Sequence, residues 1–174
     1  MFKKFIILTF FVNILFAHPH TFIEVFPTIE VKKHKISKLH FKWVLDDMSS
    51  AMLIMEFDQN GNAKIDKKEN DFIRKNYFEP LVDYNFYTDV KINNKIQNTI
   101  KPKNFRASIR NNKAVYEFDV DSKYSIKNLK FDFGDEDFFV AMILKKEFVK
   151  IKGAKAKVSD LDNDFYFGYR LEIK

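Results

Sequence analysis

Two histidines that flank a proline, His18 and His20, directly follow an apolar N-terminal segment. If the chain is cleaved after Ala17, His18 can offer both its α-amine and its ring Nδ1 to one metal ion. The α-amine titrates near neutral pH, and the imidazole of His20 completes a nitrogen-rich set that suits zinc, nickel or copper. Pro19 has no N–H to lose, so the square-planar clip built on deprotonated backbone amides is excluded. The pair predicts a transition-metal site, and the alternative is two incidental residues at a processing junction.

A second cation site is predicted by residues 58–69, which have the twelve-residue spacing of an EF-hand calcium loop. The expected oxygen ligands are the side chains of Asp58, Asn60, Asn62, Asp66 and Glu69 and the backbone carbonyl of Lys64. The sixth position, usually a glycine with positive φ, is Ala63, and a left-handed alanine costs roughly 1 kcal/mol. We expect weak calcium binding, with a dissociation constant of about 10⁻⁴ to 10⁻³ M. The alternative is a metal-free turn that caps the second of two helices.

Two further carboxylates lie in turns next to predicted strands. Asp46, followed by Asp47, ends one strand, and Asp135 lies in an acidic turn at residues 134–137. Either could supply an oxygen ligand to a metal held by His18 and His20, although such carboxylates are more often only solvated. The predicted metal set is therefore His18, His20, Asp46 and Asp135.

Missing residue types and motifs narrow the function. The 174 residues include no cysteine, which excludes a disulfide scaffold, a thiolate zinc site and a cysteine nucleophile. The sequence has no serine-hydrolase, zinc-protease, P-loop or dinucleotide-binding motif, so we expect a binding protein and no enzyme. The net charge of +6 is not concentrated in a dense basic stretch, which argues against nucleic-acid binding.

Residues 1–17 have the pattern of a secretory signal peptide. Lys3 and Lys4 precede an apolar run, and Ala17 precedes the expected cleavage point. The run is shorter than the roughly 20 residues that span a bilayer, and a retained membrane anchor is the alternative. Since no later segment approaches that length, we expect a periplasmic protein. Its mature chain, residues 18–174, is expected to be a single domain that does not span the membrane.

The elements that must position these residues alternate between β and α patterns. Residues 21–31 and 39–43 predict a hairpin that turns near Lys33 and His34. Two helices should follow. The first is capped by Asp46 or Ser49 and has Met48, Met52, Leu53 and Met55 among its apolar residues, and the second runs from residue 66 to about 78, before Pro80.

Further strands are predicted at residues 105–110, 114–120, 129–133, 138–150 and 165–173. The fold class is therefore α+β, an antiparallel β-sheet domain with an EF-hand-like helix–loop–helix inserted at residues 46–79.

Taken together, these features resemble the exported family called domain of unknown function 1007. The likeness rests on the His18-Pro-His20 start, the segment from Phe41 to Asp47, the loop from Asp58 to Glu69, and the segment from Gly134 to Phe139. It covers most of the mature chain and is weaker after Pro80. The matching positions are His18, His20, Trp43, Asp46, Asp58, Asn60, Asn62, Asp66, Glu69 and Asp135. The family loop commonly has more Asp, and a Gly where this chain has Ala63.

Members of that family are typically encoded beside nickel/cobalt-type permeases and are described as periplasmic components of transition-metal transport. The resemblance therefore implies an accessory protein of a zinc or nickel/cobalt uptake system, with an inner-membrane metal permease as its partner. Two rival interpretations remain. In the first, a calcium-stabilised structural or interaction domain uses only the loop at residues 58–69, and in the second, a copper-binding redox enzyme uses the N-terminal chelate.

Overall fold

Two β-sheets and one helical segment, residues 47–87, make up the fold. A computed structural model describes residues 21–97, 99–137, 139–163 and 166–174. The helices are α1 (Asp47–Phe57) and α2 (Lys67–Ile73). The strands are β1 (Thr21–Lys32), β2 (Lys35–Leu45), β3 (Thr88–Ile92), β4 (Lys95–Ile96), β5 (Pro102–Arg110), β6 (Lys113–Val120), β7 (Leu129–Gly134), β8 (Val140–Ile143), β9 (Lys150–Lys152), β10 (Ala156–Asn163) and β11 (Tyr166–Ile173).

Two hairpins follow directly from local turn chemistry. β1 and β2 turn at Lys33 and His34, whose φ angles are 50° and 58°, and β5 and β6 turn at Asn111 and Asn112, with φ of 52° and 59°. A pair of positive φ angles is what a tight two-residue hairpin turn requires. The hairpin predicted near Lys33 and His34 is therefore confirmed.

The strands form two sheets, where the sequence predicted one. The first sheet has the order β5-β6-β2-β1-β8, with β9 also beside β1, and the second has the order β10-β11-β7-β3-β4. Most pairings are antiparallel, as expected for this α+β fold, but β8 and β9 each pair with β1 in parallel.

The sequence predicted one continuous strand at residues 138–150, and this prediction is wrong. The segment forms two short strands, β8 and β9, which are separated by a turn and each pair with β1. β8 pairs with β1 from Thr21 to Glu24, and β9 pairs with it from Thr28 to Glu30. Pro27, which has no N–H to give to a neighbouring strand, lies in the gap between them. The short 3₁₀ turn Lys146–Phe148 bridges this gap, and Phe148 stacks on Phe26 with ring centroids 4.2 Å apart.

Aromatic side chains on the inner face of the first sheet form the core. Phe41 of β2 packs edge-on against Phe131 and Phe133 of β7, with centroids 6.5 and 5.7 Å apart. Further along the same face, Trp43 contacts Phe78 of the helical segment with centroids 6.2 Å apart. The second sheet and the helical segment therefore share one face of the first sheet.

The second helical run reaches Phe78, as predicted, but it is not α-helical throughout. After α2 the chain continues through a π-helical turn, Arg74–Phe78, and then through the 3₁₀ segment Glu79–Tyr87. Pro80 lies in the first turn of that 3₁₀ segment, where a missing N–H costs no helical hydrogen bond, so it starts a new segment. The segment ends with Asn85, Phe86 and Tyr87 in left-handed conformations, with φ of 50°, 49° and 49°.

The inward side of α1 is formed by small polar residues and one aromatic ring. Ser49, Ser50 and Phe57 are buried. The hydroxyl of Ser50 donates to the Leu45 carbonyl at 3.1 Å and accepts from the Ala114 backbone N–H at 3.0 Å. This small side chain lets the helix backbone approach β2 and β6 closely, so the methionines of α1 face outward.

Candidate functional site

The N-terminal histidines are expected to join the fold where β1 begins. His18 and His20 themselves lie outside the described residues. At the first described residue, the Thr21 N–H donates to the Phe139 carbonyl at 3.3 Å. The next N–H, of Phe22, donates to Asp46 Oδ2 at 2.8 Å. The start of β1 is therefore held between the Asp46 turn and the acidic turn that precedes β8.

Asp46, one of the two caps that the sequence offered, is the N-cap of α1. Its Oδ1 accepts from the Ser49 N–H at 2.9 Å, and its Oδ2 accepts from the Ser49 hydroxyl at 2.7 Å as well as from Phe22. Partial burial acts to raise the pKa of Asp46, but the hydrogen bonds from Phe22 and Ser49 outweigh it and lower the pKa overall. The carboxylate is therefore a stable negative charge beside the start of β1.

Asp135 closes the turn between β7 and β8. It is buried, with 5% of its surface exposed. Its Oδ1 accepts from the Asp137 N–H at 3.1 Å, and its Oδ2 accepts from the N–H groups of Phe139 and Val140 at 3.1 and 2.9 Å. Because Val140 is the β-partner of Thr21, Asp135 fixes the strand that lies against the first residue of β1.

An acidic cavity of about 290 Å³ opens beside Asp135. The carboxylates that line it are Asp83, Asp89, Asp135, Glu136 and Asp137. Only the 134–137 turn could be identified from the sequence, because Asp83 lies in the distant segment that leads into β3 and Asp89 lies in β3 itself. Burial, followed by the charges of Asp135, Tyr84 and Asp137, raises the pKa of the neighbouring Tyr87 to about 12. Over the described ranges, no three His, Cys, Asp or Glu side chains are grouped closely enough to hold a metal ion.

The segment at residues 58–69 forms an ordered loop between α1 and α2. Asp58 accepts from the N–H of Asn62 at 3.0 Å through Oδ1 and from the N–H of Ala63 at 2.7 Å through Oδ2. Asn60 Oδ1 also accepts from Asn62 N–H at 3.1 Å. Ala63 has a φ of 59°, which is the left-handed conformation expected of the sixth loop position. These contacts turn the side-chain oxygens of Asp58 and Asn60 toward the inside of the loop.

Glu69 closes the same loop from α2. It is buried, with 2% exposure, and its Oε2 accepts from the Asp66 N–H at 2.9 Å while Asp66 Oδ1 accepts from the Glu69 N–H at 2.9 Å. This reciprocal pair is a capping box at the start of α2. The other carboxylate oxygen of Glu69, Oε1, accepts from the Asn60 N–H at 3.4 Å. The five predicted side-chain ligands therefore belong to one connected hydrogen-bonded loop.

A buried ion cluster in the second sheet was not predicted from the sequence. Asp132 of β7 is 1% exposed. It accepts two hydrogen bonds from Arg170, each 2.7 Å long, and forms an ion pair with Lys91, whose Nζ is 2.8 Å away. The three residues come from β7, β11 and β3, and no local pattern indicates that they meet. The buried carboxylate is paired with two cationic side chains, so we assign the cluster a structural role.

His40 of β2 is partly buried. Its Nδ1 is 2.9 Å from Asp119 Oδ1, and its side chain is 28% exposed. The amide of Asn104 also donates to Asp119 at 2.8 Å. The pair joins β2 to β6 and lies apart from the residues of the predicted sites.

Among the described residues, no helix is both long and apolar enough to cross a bilayer.

Comparison with known sequences gives the same family as the resemblance. An uncharacterized protein of Haemophilus influenzae is 29% identical over an aligned length of 136 residues, and the match covers 72% of this chain and 62% of that protein. An uncharacterized 15.5 kDa protein of Spirochaeta aurantia, from the trpE 3′ region, is 32% identical over an aligned length of 100 residues, and the match covers 54% of this chain and 69% of that protein.

The chain thus spans less than two thirds of the Haemophilus protein's length. The sequence model of one family matches residues 4–161, which is most of the chain. The chain therefore belongs to the family described as Protein of unknown function (DUF1007).

Proposed function

We propose that this chain is a periplasmic, non-enzymatic metal-binding accessory protein of a zinc or nickel/cobalt uptake system. It would bind the ion through His18 and His20 after removal of residues 1–17, and an inner-membrane metal permease would receive the ion. The observation that carries the proposal is the anchoring of β1 at Thr21. This residue directly follows the histidines and is held between the turns of Asp46 and Asp135.

The two carboxylates are suited to support a cation, because their positions are fixed by the backbone. Asp46 and Asp135 each accept three hydrogen bonds. An ionised carboxylate has about four lone-pair sites, so each retains capacity for one more contact. Their main contribution would be negative charge beside an amine-and-imidazole chelate. Nitrogen donors of this kind favour zinc and nickel, with copper as the alternative metal.

The test is calorimetric titration of the mature protein, beginning at His18, with zinc, nickel and copper at neutral pH. A matched protein with one additional residue before His18 has the same side chains but lacks the chelating amine. We expect tight one-to-one binding that is lost in the extended protein and in a His18→Ala variant. Equal weak binding by all three proteins would refute the N-terminal site.

A second candidate function is a calcium-stabilised structural or interaction domain. It is supported by the loop at residues 58–69, in which Ala63 is left-handed and the oxygens of Asp58 and Asn60 turn inward. Lys64 would supply its backbone carbonyl, and Asn62, Asp66 and Glu69 the remaining side-chain ligands. Such a loop would be EF-hand-like.

Thermal unfolding with millimolar calcium and with a chelator tests this second candidate. Glu69→Gln is the informative variant, because its amide oxygen can still accept from the Asp66 N–H while the negative charge is removed. We expect calcium to raise the Tm of the parent chain and to leave the variant's Tm unchanged. An identical Tm with calcium and with chelator in the parent chain would rule this function out.

A further inference from the structure

The outward side of α1 is formed by three methionines, Met48, Met52 and Met55. Their exposed fractions are 63%, 63% and 80%. At 100° per residue these positions fall within a narrow arc of the helix, opposite the buried residues Ser50 and Phe57. The three thioethers therefore share one solvent-facing surface.

The spacing of the methionines brings their sulfurs within reach of one ion. Met52 is four residues after Met48 and three residues before Met55. Residues at these spacings are surface neighbours on a helix, with Cβ atoms about 5–6 Å apart. Methionine is unbranched and has three rotatable bonds, so the two outer side chains can bend toward Met52.

The use of methionine at these positions is unusual for this chain. The sequence has 21 phenylalanines but only five methionines. Of the other two, Met1 begins the chain and Met142 is buried, with 1% exposure. A purely apolar docking face could use the phenylalanine, leucine and isoleucine in which the chain is rich. The common property of the three exposed side chains is their sulfur atom.

The charge of α1 also favours a cation. The helix contains no lysine or arginine, although the whole chain has 30. Glu56 follows Met55 and lies next to the methionine surface by helical position, and the C-terminal end of a helix carries partial negative charge. Asp47, on the other flank, is paired with Lys113 at 3.4 Å.

From this geometry we propose that Met48, Met52 and Met55 form a binding site for a soft monovalent cation, Cu(I). Thioether sulfur is a soft ligand that selects Cu(I) over the harder divalent ions. Binding at this surface involves no electron transfer and no bond to the protein other than coordination. Its donors are thioether sulfurs, whereas the proposed N-terminal chelate and the loop at residues 58–69 offer nitrogen and oxygen ligands.

Silver provides a redox-inert probe for the site. The full mature protein, labelled with ¹³C at the methionine methyl groups, would be titrated with silver nitrate in chloride-free buffer and followed by NMR. We expect the methyl signals of Met48, Met52 and Met55 to shift together and to saturate at one equivalent. Met142, buried in the core, serves as the internal control whose signal stays in place. Unshifted signals for the three exposed methionines would overturn the proposal.

A triple leucine variant separates sulfur ligation from apolar character. Met48→Leu, Met52→Leu and Met55→Leu together keep the surface apolar and should leave the fold intact, because all three side chains are exposed. We expect the affinity for Ag(I) to fall by about 100-fold or more, while Met142→Leu leaves it unchanged. Silver binding of equal strength in the triple variant would contradict the site. A His18→Ala, His20→Ala double variant should keep the methyl shifts, so failure of the N-terminal chelate would not be confused with failure of this site.

Discussion

At the scale of single residues, the most constrained charge in the second sheet is Asp132. Burial acts to raise its pKa, but hydrogen bonds and charges from Arg170 and Lys91 outweigh burial, so its pKa lies below the ordinary value. The folded protein therefore holds this carboxylate ionised in a place from which water is excluded. Removal of its charge would leave Arg170 and Lys91 facing a neutral partner.

We predict that Asp132→Asn lowers the free energy of unfolding by about 3 kcal/mol at neutral pH. The measurement is urea denaturation followed by circular dichroism. Asp71→Asn is the matched control, because Asp71 forms an exposed pair with Lys67 at 3.0 Å and such pairs contribute about 0–1 kcal/mol. Equal losses from the two substitutions would show that the buried cluster does not stabilise the fold.

The same residue predicts a pH dependence. Because the folded pKa of Asp132 lies below the unfolded value of 3.8, its contribution is fully present above that value. It is lost as pH falls through the folded pKa. We therefore expect the stability difference between the parent chain and Asp132→Asn to shrink on acidification below that value. A difference that stays constant or grows with acid, measured by urea titrations at several pH values, would contradict this assignment.

Ala63 provides a second prediction at the scale of one residue. Its φ of 59° strains an alanine and suits a glycine, so Ala63→Gly should stabilise the protein by about 1 kcal/mol. Ala51→Gly, at an exposed position of α1, is the control and should destabilise by a similar amount. Chemical denaturation measures both changes. Destabilisation by both substitutions would indicate that residue 63 is not left-handed in solution.

At the scale of elements, Asp46 connects α1 to the start of β1. One carboxylate caps the helix through Ser49 and holds the strand through the N–H of Phe22. Hydrogen bonds to one side chain therefore link the helix to the strand, in addition to the packing of the core.

We expect Asp46→Ala to cost about 2 kcal/mol of stability, and Asp46→Asn to cost less. The asparagine oxygen can still accept from Ser49, but its amide nitrogen cannot accept from Phe22. Hydrogen exchange at the Phe22 amide provides the specific measurement, since both variants should lose its protection. Retained protection in the alanine variant would show that Asp46 does not hold the strand.

At the scale of the whole molecule, the single tryptophan reports on how the parts unfold together. Trp43 is fully buried and contacts Phe78 and Tyr87 of the helical segment as well as Phe118 of β6. We predict that its fluorescence and the far-UV circular dichroism change at the same urea concentration, as in a two-state transition. Separate midpoints would mean that the helical segment unfolds independently of the sheets.

Local chemistry explains which parts of the architecture could be predicted. The hairpin turn at residues 33–34 and the Asp46 cap of α1 depend on neighbours in sequence, and both were expected. The ion cluster of Asp132 and the acidic cavity need segments more than 30 residues apart, so sequence periodicity could not show them. The outward orientation of the methionines of α1 was also not predicted. It follows from the burial of Ser50 on the opposite side of the helix, where its hydroxyl bonds to the Leu45 carbonyl and the Ala114 N–H.

Pro27 in β1 has a consequence for strand pairing while folding is incomplete. β1 and β2 are adjacent in sequence and can pair early, whereas β8 begins only at Val140, long after β2 ends at Leu45. Before β8 and β9 pair with β1, one edge of β1 is unpaired, and an unpaired edge can pair with a strand of another chain. A proline in the middle of that edge removes a hydrogen-bond donor from any continuous intermolecular pairing. The two short native partners fit on either side of it, so the residue that interrupts the sheet also discourages aggregation while folding is incomplete.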